Sequence, residues 1–405
     1  MNSNPIQLRI LRSFEEAAGL QRAWDDFAEH HEAEIFLTYD WLRIWWNHYH
    51  RGRAMMILVF ELNGKLAGIL PLCRDVIGRG PWRMRVWRTL GTDFTPVTVS
   101  LLVDPAALIA VVDAFMQFFQ RQNDWDLLFL GPSAGKCRLT RIFYEAIRLH
   151  AASHTGARLD PGGEQIYFHL HANWEQQLAS LSSRERSRMR AVYRKLEKAR
   201  IPLKAVWAEE RNSPVLFDEF VHAHQARWNA IGHGGHFKDW PGALDFHRDI
   251  VRAHSENGRL RLLSVCLDDR PIGYKYEFKT GSGYYDYLDA HCADFTGLDL
   301  DVYRLNFRAL VERAMAEGVR WIDSMRGRYE HKLHIGGEIK ASHRLFMTSA
   351  SRTSRARVML WRSMATLRDL VYYKLWRRRL ALRLHIRPAP LSEPWIRTAA
   401  LSYWS

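Results

Sequence analysis

Residues 260–278 read LRLLSVCLDDRPIGYKYEF, two largely apolar runs that meet at Asp268-Asp269. Such runs flanking a pair of turn-forming residues predict strand, turn, strand. Residues 56–72, MILVFELNGKLAGILPL, repeat the figure with Asn63-Gly64 in the turn. Leu62, Lys65 and Gly68 of the first hairpin match Leu267, Arg270 and Gly273 of the second at identical spacing. Each hairpin is followed by a helix pattern and a strand pattern that ends in glycine. In the first half these are PAALIAVVDAFMQFFQRQ (105–122) and DWDLLFLG (124–131), in the second LDVYRLNFRALVERAMAEG (300–318) and VRWIDSMRG (319–327). Tyr303, Phe307, Leu310 and Ala314 share one helix face, and Gly318 stands where a C-terminal glycine belongs. Two β-β-α-β units predict a duplicated α+β fold, against the alternative that two common motifs coincide. The expected division is residues 1–155, residues 156–350 and a tail, 351–405.

The 405 residues suit roughly two to three domains. With 47% apolar and 12% aromatic residues, the chain has what a large core needs, which excludes disorder over most of it. No apolar run reaches the length of a membrane span, and the start, MNSNPIQLRILRSFEE, lacks the features of a secretory signal. Cys73, Cys137, Cys266 and Cys292 lie far apart with no CxxC pair, which suggests buried thiols in a reducing compartment.

The net charge of +14 is uneven. Residues 351–387 hold ten arginines and Lys374 against a single acid, Asp369, leaving the first 350 residues with only +4. Leu360, Leu367, Val371 and Leu375 recur at helical spacing among Trp361, Trp376, Arg362, Arg368 and Arg377–Arg379. A basic amphipathic helix with Trp and Leu predicts an interfacial element on anionic lipid. The alternatives are a helix packed on the body, and nucleic acid, which is the less favoured partner. In residues 181–203, Ser182-x-x-Glu185 predicts a capping box opening a helix, and eight basic residues of 184–200 face two acids. That run is either a solvated face or an anion-gripping helix at a cleft edge.

FLTYDWLRIWW (36–46), LGTDFTPVTVSLLVDP (90–105), LSSRERSRMRAVYRKLEKA (181–199) and DSMRGRYEHKLHIGG (323–337) occur in that order. Together they resemble the CelD-like branch of the GNAT acyltransferases, related to FemAB-type transferases, from about residue 10 to 350. The resemblance implies two tandem GNAT-like domains with mixed sheets flanked by helices, the chemistry lying mainly in the second. It implies acyl transfer to an amine, with acyl-CoA as co-substrate and no resident cofactor. Asp323, Arg326, Gly327 and Lys332 match the family's strand-end pattern, with His331 where tyrosine is usual, which leaves the acid/base role there open. The family's phosphate loop is reduced in HCADFTGLDLDVY (291–303) to Gly297, and Asp294, Asp299 and Asp301 repel phosphate. The CoA donor is thus implied by the resemblance, with Arg326, Gly327, Lys332 and Gly297 as candidate donor-binding residues.

Within GYYDYLDAH (283–291), period-two alternation predicts Tyr285, Tyr287, Asp289 and His291 on one face. Ionisable and aromatic groups in a row suit either an active site or a solvent-facing edge. As a site, His291 takes the acceptor's proton, Asp289 orients it, and Tyr285 or Tyr287 supplies a hydroxyl. Asp323, at the end of the next strand, is the candidate to position an ammonium, with Arg326 and Lys332 meeting anionic charge; local salt bridges are the alternative. Glu277 is a weaker candidate base. No metal is expected: His222 and His224 point apart on a helix, and His233 and His236 lack an acidic or cysteine partner. The absence of Gly-x-Ser-x-Gly, Walker and dinucleotide motifs argues against those enzyme classes.

The expected function is N-acylation of an amphiphilic amine by a cytoplasmic enzyme peripheral on the inner membrane. A sphingoid base, giving a ceramide-type product, is the favoured acceptor by similarity to GNAT-like bacterial ceramide synthases. Amino sugars or exopolysaccharide precursors, aminoacyl transfer from tRNA, and a catalytically inactive scaffold remain as alternatives.

Overall fold

In the computed structural model, which describes residues 6–136, 138–150, 156–292 and 296–403, both predicted hairpins close on two-residue turns. Asn63 and Gly64 take φ of 52° and 72°, Asp268 and Asp269 take 47° and 62°. Positive φ at both central positions matches the turn's twist to that of the strands, and aspartate tolerates it without glycine. Cys137 and Asp294 lie outside the described residues.

The strands are β1 (Gln7–Leu11), β2 (Ala54–Leu62), β3 (Lys65–Ile77), β4 (Met84–Thr89), β5 (Leu102–Val103), β6 (Leu127–Ser133), β7 (Gly156–His169), β8 (Leu203–Trp207), β9 (Leu260–Leu267), β10 (Arg270–Thr280), β11 (Gly283–His291), β12 (Trp321–Arg326) and β13 (Glu338–Thr348). The helices that matter are α1 (Leu108–Arg121), α2 (Ser183–Ala199), α3 (Ser213–Ala230), α4 (Ala243–Glu256), α5 (Val302–Ala316) and α6 (Arg352–Arg368). The chain forms two units. The first holds the described residues up to Glu164, Ala341–Leu384 and those from Leu391 on; the second holds Gln165–Lys340 and His385–Pro390.

In the first unit the order is β1-β2-β3-β4-β6-β13, antiparallel except for the parallel pair β4–β6, which α1 connects; β5 is a short addition on β3. The second unit repeats it as β8-β9-β10-β11-β12-β7, with β11 and β12 parallel and α5 between them. A parallel pair needs a crossover longer than a hairpin, which is why the helix falls there in both halves. The duplicated α+β fold read from the two hairpins is therefore present, with mixed sheets flanked by helices. In each unit the last strand comes from sequence outside its own β-β-α-β run: residues 341–348 in the first, 165–169 in the second.

The second unit carries a core on each face of its sheet. Met189, Val192 and Leu196 of α2 and Leu305, Phe307 and Leu310 of α5 pack on one. On the other, Phe217 and Phe220 of α3 meet Tyr276 of β10, and His247 of α4 meets Tyr276 and Tyr287. Helix α5 buries Tyr303, Phe307, Leu310 and Ala314 as the spacing required, with Gly318 at φ 69°. At the start of α2, Ser182 Oγ accepts from Glu185 N–H at 3.3 Å. The Glu185 carboxylate does not return to the cap; it binds Arg188 and Arg304.

Residues 351–384 group with the first unit and form no third one. Val358 and Ala365 of α6 pack with Ile77, Met84, Phe129 and Phe346. Arg362 is buried, paired with Asp160 and seated over the Phe346 and Tyr403 rings. The helix continues through Asp369–Leu380 in wider π-helical turns. Among the described residues no helix is long and apolar enough to cross a membrane.

Candidate active site

The chemistry-bearing side chains of the second unit gather where β10, β11 and β12 face α5. Lys275, on the central strand β10, is fully buried, and its Nζ lies 2.5 Å from Asp286 Oδ1 and 3.4 Å from Glu277 Oε1. Ser324 Oγ donates to Asp286 Oδ2 at 2.8 Å, and Lys332 Nζ donates to the Ser324 carbonyl at 3.0 Å. An ammonium survives such burial only with carboxylates at contact distance.

Strand β11 does not keep strict alternation. Leu288 pairs with Tyr276 and Asp286 with Glu277, so Tyr287 is the extra residue of a bulge. An extra residue in one strand shifts the faces of everything beyond it. The sequence predicted one face for Tyr285, Tyr287, Asp289 and His291; the bulge divides them. Tyr287 lies on the α3–α4 side, its ring 5.1 to 6.1 Å from those of His236, His247, Tyr276 and Phe278. Tyr285 packs on Trp321. Asp289 pairs with Lys275 in the register and joins the α5 side, where His291 Nε2 lies 3.5 Å from Asp289 Oδ2.

Their protonation states follow from the surroundings. Burial pushes the Asp289 carboxyl up, but His291, Lys275 and Lys332 outweigh it and hold it far below the usual range. Asp286 is likewise kept ionised, Lys275 and Lys332 overcoming its burial. Glu277 goes the other way: burial dominates, Lys275 compensates only in part, and the carboxyl is held neutral. Burial also lowers the Lys332 ammonium, with Asp286 and Asp289 opposing. Tyr303 on α5 is buried beside Asp286 and Asp289, which keeps its hydroxyl neutral. Among the described residues that hydroxyl has no hydrogen-bond partner.

Asp323 is fully buried, and its carboxylate is engaged locally, accepting from Met325 N–H at 2.9 Å and Gln165 Nε2 at 3.2 Å. It braces the strand end, where Met325 takes φ 62°. Lys332, expected at a donor phosphate, points into the Asp286–Asp289 network. Arg326 is half-buried at the end of β12. Gly327 has φ 121°, and a Cβ there would meet the Tyr329 ring at 2.6 Å. Gly297 is a positive-φ loop residue with open space around it among the described residues. Lys275, Asp286 and Ser324 were not singled out in the sequence, and Tyr303 was read only as part of a helix face. The available signal was Lys275 and Glu277 two apart, alternating with the aromatic residues Tyr274, Tyr276 and Phe278.

Two cavities meet at the end of β11, and His291 and Cys292 line both. One, about 840 Å³, is polar and lies against α2 and the start of α5, with Arg188, Lys195, Asp301, Tyr303 and Arg304 in its wall. Asp301 caps α5, accepting from Arg304 N–H at 3.1 Å, and Lys195 Nζ donates to the carbonyls of Leu298 and Asp299. The other, about 1270 Å³, runs along α3 and the edge of β9 and β10 past Leu216, Ala226, Ile231, Pro271 and Tyr274. The Cys292 thiol is pushed up by burial, which keeps it protonated.

Residues 183–333 match the acetyltransferase (GNAT) domain family. The match runs from the first residue of α2 to the short helix after β12, so it takes in the β11 end, both cavities and Lys332. Among solved structures, FemX shares the fold over 80% of this chain and 95% of its own, with TM-score 0.55 at 10% identity. The C-terminal domain of a putative lysylphosphatidylglycerol synthetase from Agrobacterium fabrum covers 86% of this chain and 96% of its own, with TM-score 0.48 at 12% identity. No curated protein matches the chain in sequence. Among the described residues, no group of three His, Cys, Asp or Glu side chains is arranged to hold a metal ion.

Proposed function

We propose that the GNAT domain transfers an acyl group from a thioester donor, acyl-CoA, to an amine, with the reaction at the end of β11. The observation that carries this reading is the shared lining of the two cavities by His291 and Cys292. The donor lies in the polar cavity, where Arg188 and Lys195 are its phosphate contacts, both still engaged with protein acceptors that a phosphate would have to displace. Arg326 and Gly327 stay candidates for the donor's anionic end.

An amine is protonated at neutral pH and must lose a proton to become a nucleophile. His291 takes that proton, and the ionised Asp289 orients the ring and stabilises its charged form. The nitrogen attacks the thioester carbonyl, the C–N bond forms, the C–S bond breaks, and the departing thiolate takes up a proton. Tyr303 offers an O–H to the developing oxyanion from the donor side. The test is thiol release from acyl-CoA by the purified protein, supplied with a panel of primary amines. Amine-dependent release lost in His291→Ala supports the reading; release that ignores the amine removes it.

The acceptor class follows from the surface. Leu367, Val371 and Leu375 are 62%, 51% and 44% exposed beside Arg378, Arg379 and Arg383, which suits an anionic lipid surface and hence a membrane-borne amine, a sphingoid-type base among them. A second reading keeps the acyl step but draws an aminoacyl group from tRNA. The exposed basic row of α2, Arg184, Arg188, Arg190, Arg194 and Lys198, favours it, and steeply salt-dependent RNA binding tests it.

A further inference from the structure

The larger cavity carries more information than its position. Its volume of about 1270 Å³ exceeds the roughly 300–1000 Å³ usual for a small-molecule site. A short amine would leave most of it empty. Its floor is β9 and β10, with Ser264, Cys266, Pro271 and Tyr274, and one wall is α3. Along that wall Ala223, Ala226 and Ala230 are spaced so that three small side chains follow one another on the same side of the helix. Larger residues there would close the groove.

The three carboxylates that line the cavity already have partners inside the protein, and the exposed Arg227 lines it as well. Asp218 pairs with Arg248 at 3.0 Å, Asp269 with Lys204 at 2.5 Å, and Glu219 accepts from the Tyr274 hydroxyl at 3.3 Å. An occupant therefore finds mostly apolar contact along the groove, with Arg227 on the α3 wall and His291 at the inner end as its polar chemistry. There it meets His291, which has the ionised Asp289 beside it. Apolar walls leading to a histidine with a carboxylate beside it fit a molecule with a hydrocarbon chain and an amine head. The phosphates of a thioester donor are drawn instead to the polar cavity, where Arg188, Arg304 and Lys195 lie together.

We infer that this groove binds the alkyl chain of the amine acceptor and sets its head group at His291. The inference rests on the acyl-transfer reading for the role of the head group, whereas the chain site stands on the cavity alone. Each methylene drawn from water into an apolar groove contributes ~0.8 kcal/mol, about fourfold in affinity. An open groove realises part of that, so about two- to fourfold per methylene is expected until the chain outruns it.

The experiment uses the full-length protein and the series butylamine, octylamine and dodecylamine, all below their micellar concentrations. Binding is read by calorimetry without donor, and turnover by thiol release with acetyl-CoA. The expected result is affinity that climbs steeply along the series and kcat/KM that climbs with it. In Ala226→Phe, and independently in Ala230→Phe, the gain for dodecylamine collapses while butylamine is unchanged. Both positions are exposed to the groove, so neither variant disturbs a packed core. Affinity indifferent to chain length, or a climb that survives both phenylalanines, overturns the inference even if short amines are acylated. Chain-dependent binding without turnover upholds the groove and removes the acyl-transfer reading. If acyl-CoA chain length controls binding and the phenylalanines act on the donor, the groove belongs to the acyl group and the inference fails.

Discussion

Asp286 and Asp289 are three residues apart on β11, yet both face Lys275, because Tyr287 bulges out of the register between them. In an unbroken strand, residues three apart point to opposite sides. The bulge thus places two ionised carboxylates on one side of the sheet and leaves His291, two residues further on, beside the second of them. Bulges near active sites commonly re-aim a side chain in this way.

The His291–Asp289 pair gives the first prediction. His291→Ala and Asp289→Asn should each lower turnover by roughly two orders of magnitude, the scale of a positioned acid/base. Raising the pH should partly rescue His291→Ala, because more amine arrives neutral. Steady-state rates across pH 6 to 9 decide it, and a parental profile in the variant would remove His291 from the mechanism.

Lys275 should be the most sensitive residue for stability. Lys275→Met leaves Asp286 buried without its cation, which costs about 3–5 kcal/mol. The double variant Lys275→Met, Asp286→Leu should recover a large part, since no charge is then stranded. Urea denaturation of the two variants measures the difference.

The histidines on the α3–α4 side predict a pH dependence of folding. His236 Nε2 lies 3.2 Å from His247 Nε2, and His247 Nδ1 lies 3.1 Å from the Tyr276 hydroxyl. Burial, and His224 beside it, hold His236 down at about 3. The folded state therefore resists a proton that the unfolded state accepts below its ordinary value of 6.5. Stability from this group is complete above that value and declines as pH falls toward 3, by at most about 2 kcal/mol at pH 5. His236→Gln should flatten the slope between pH 7 and 5. An unchanged slope would show that other groups supply it.

Donor binding should depend on the α2 side of the polar cavity. Arg188→Ala and Lys195→Ala should raise KM for acyl-CoA several-fold and leave KM for the amine alone. Equal effects on both substrates would point to a general loss of structure.

On the first unit, Leu367→Ser, Val371→Ser and Leu375→Ser combined should release the protein from anionic liposomes at low salt. These side chains are exposed, so the fold should survive, which circular dichroism checks. Co-sedimentation equal to the parent would leave the basic residues alone, or no lipid at all, as the explanation.

Local chemistry determined much of this protein. The paired hairpins, their positive-φ turns, helix α5 with its buried face and Gly318, and the Ser182 cap all depend on short-range sterics and periodicity, which the sequence states directly. His291 and Asp289 were legible as candidates because ionisable groups on a half-buried strand need a reason. Tertiary structure decided the rest. The bulge at Tyr287 arises from pairing with β10, so no pattern within β11 revealed that Tyr287 and Asp289 would part. Lys275 gains its meaning only from Asp286 and Glu277 across the sheet. Arg362 reads as one more solvated charge until Asp160, Phe346 and Tyr403 close around it. Burial and opposite charge at contact distance are long-range facts, and they fixed which ionisable residues gather at the candidate site and which brace the fold.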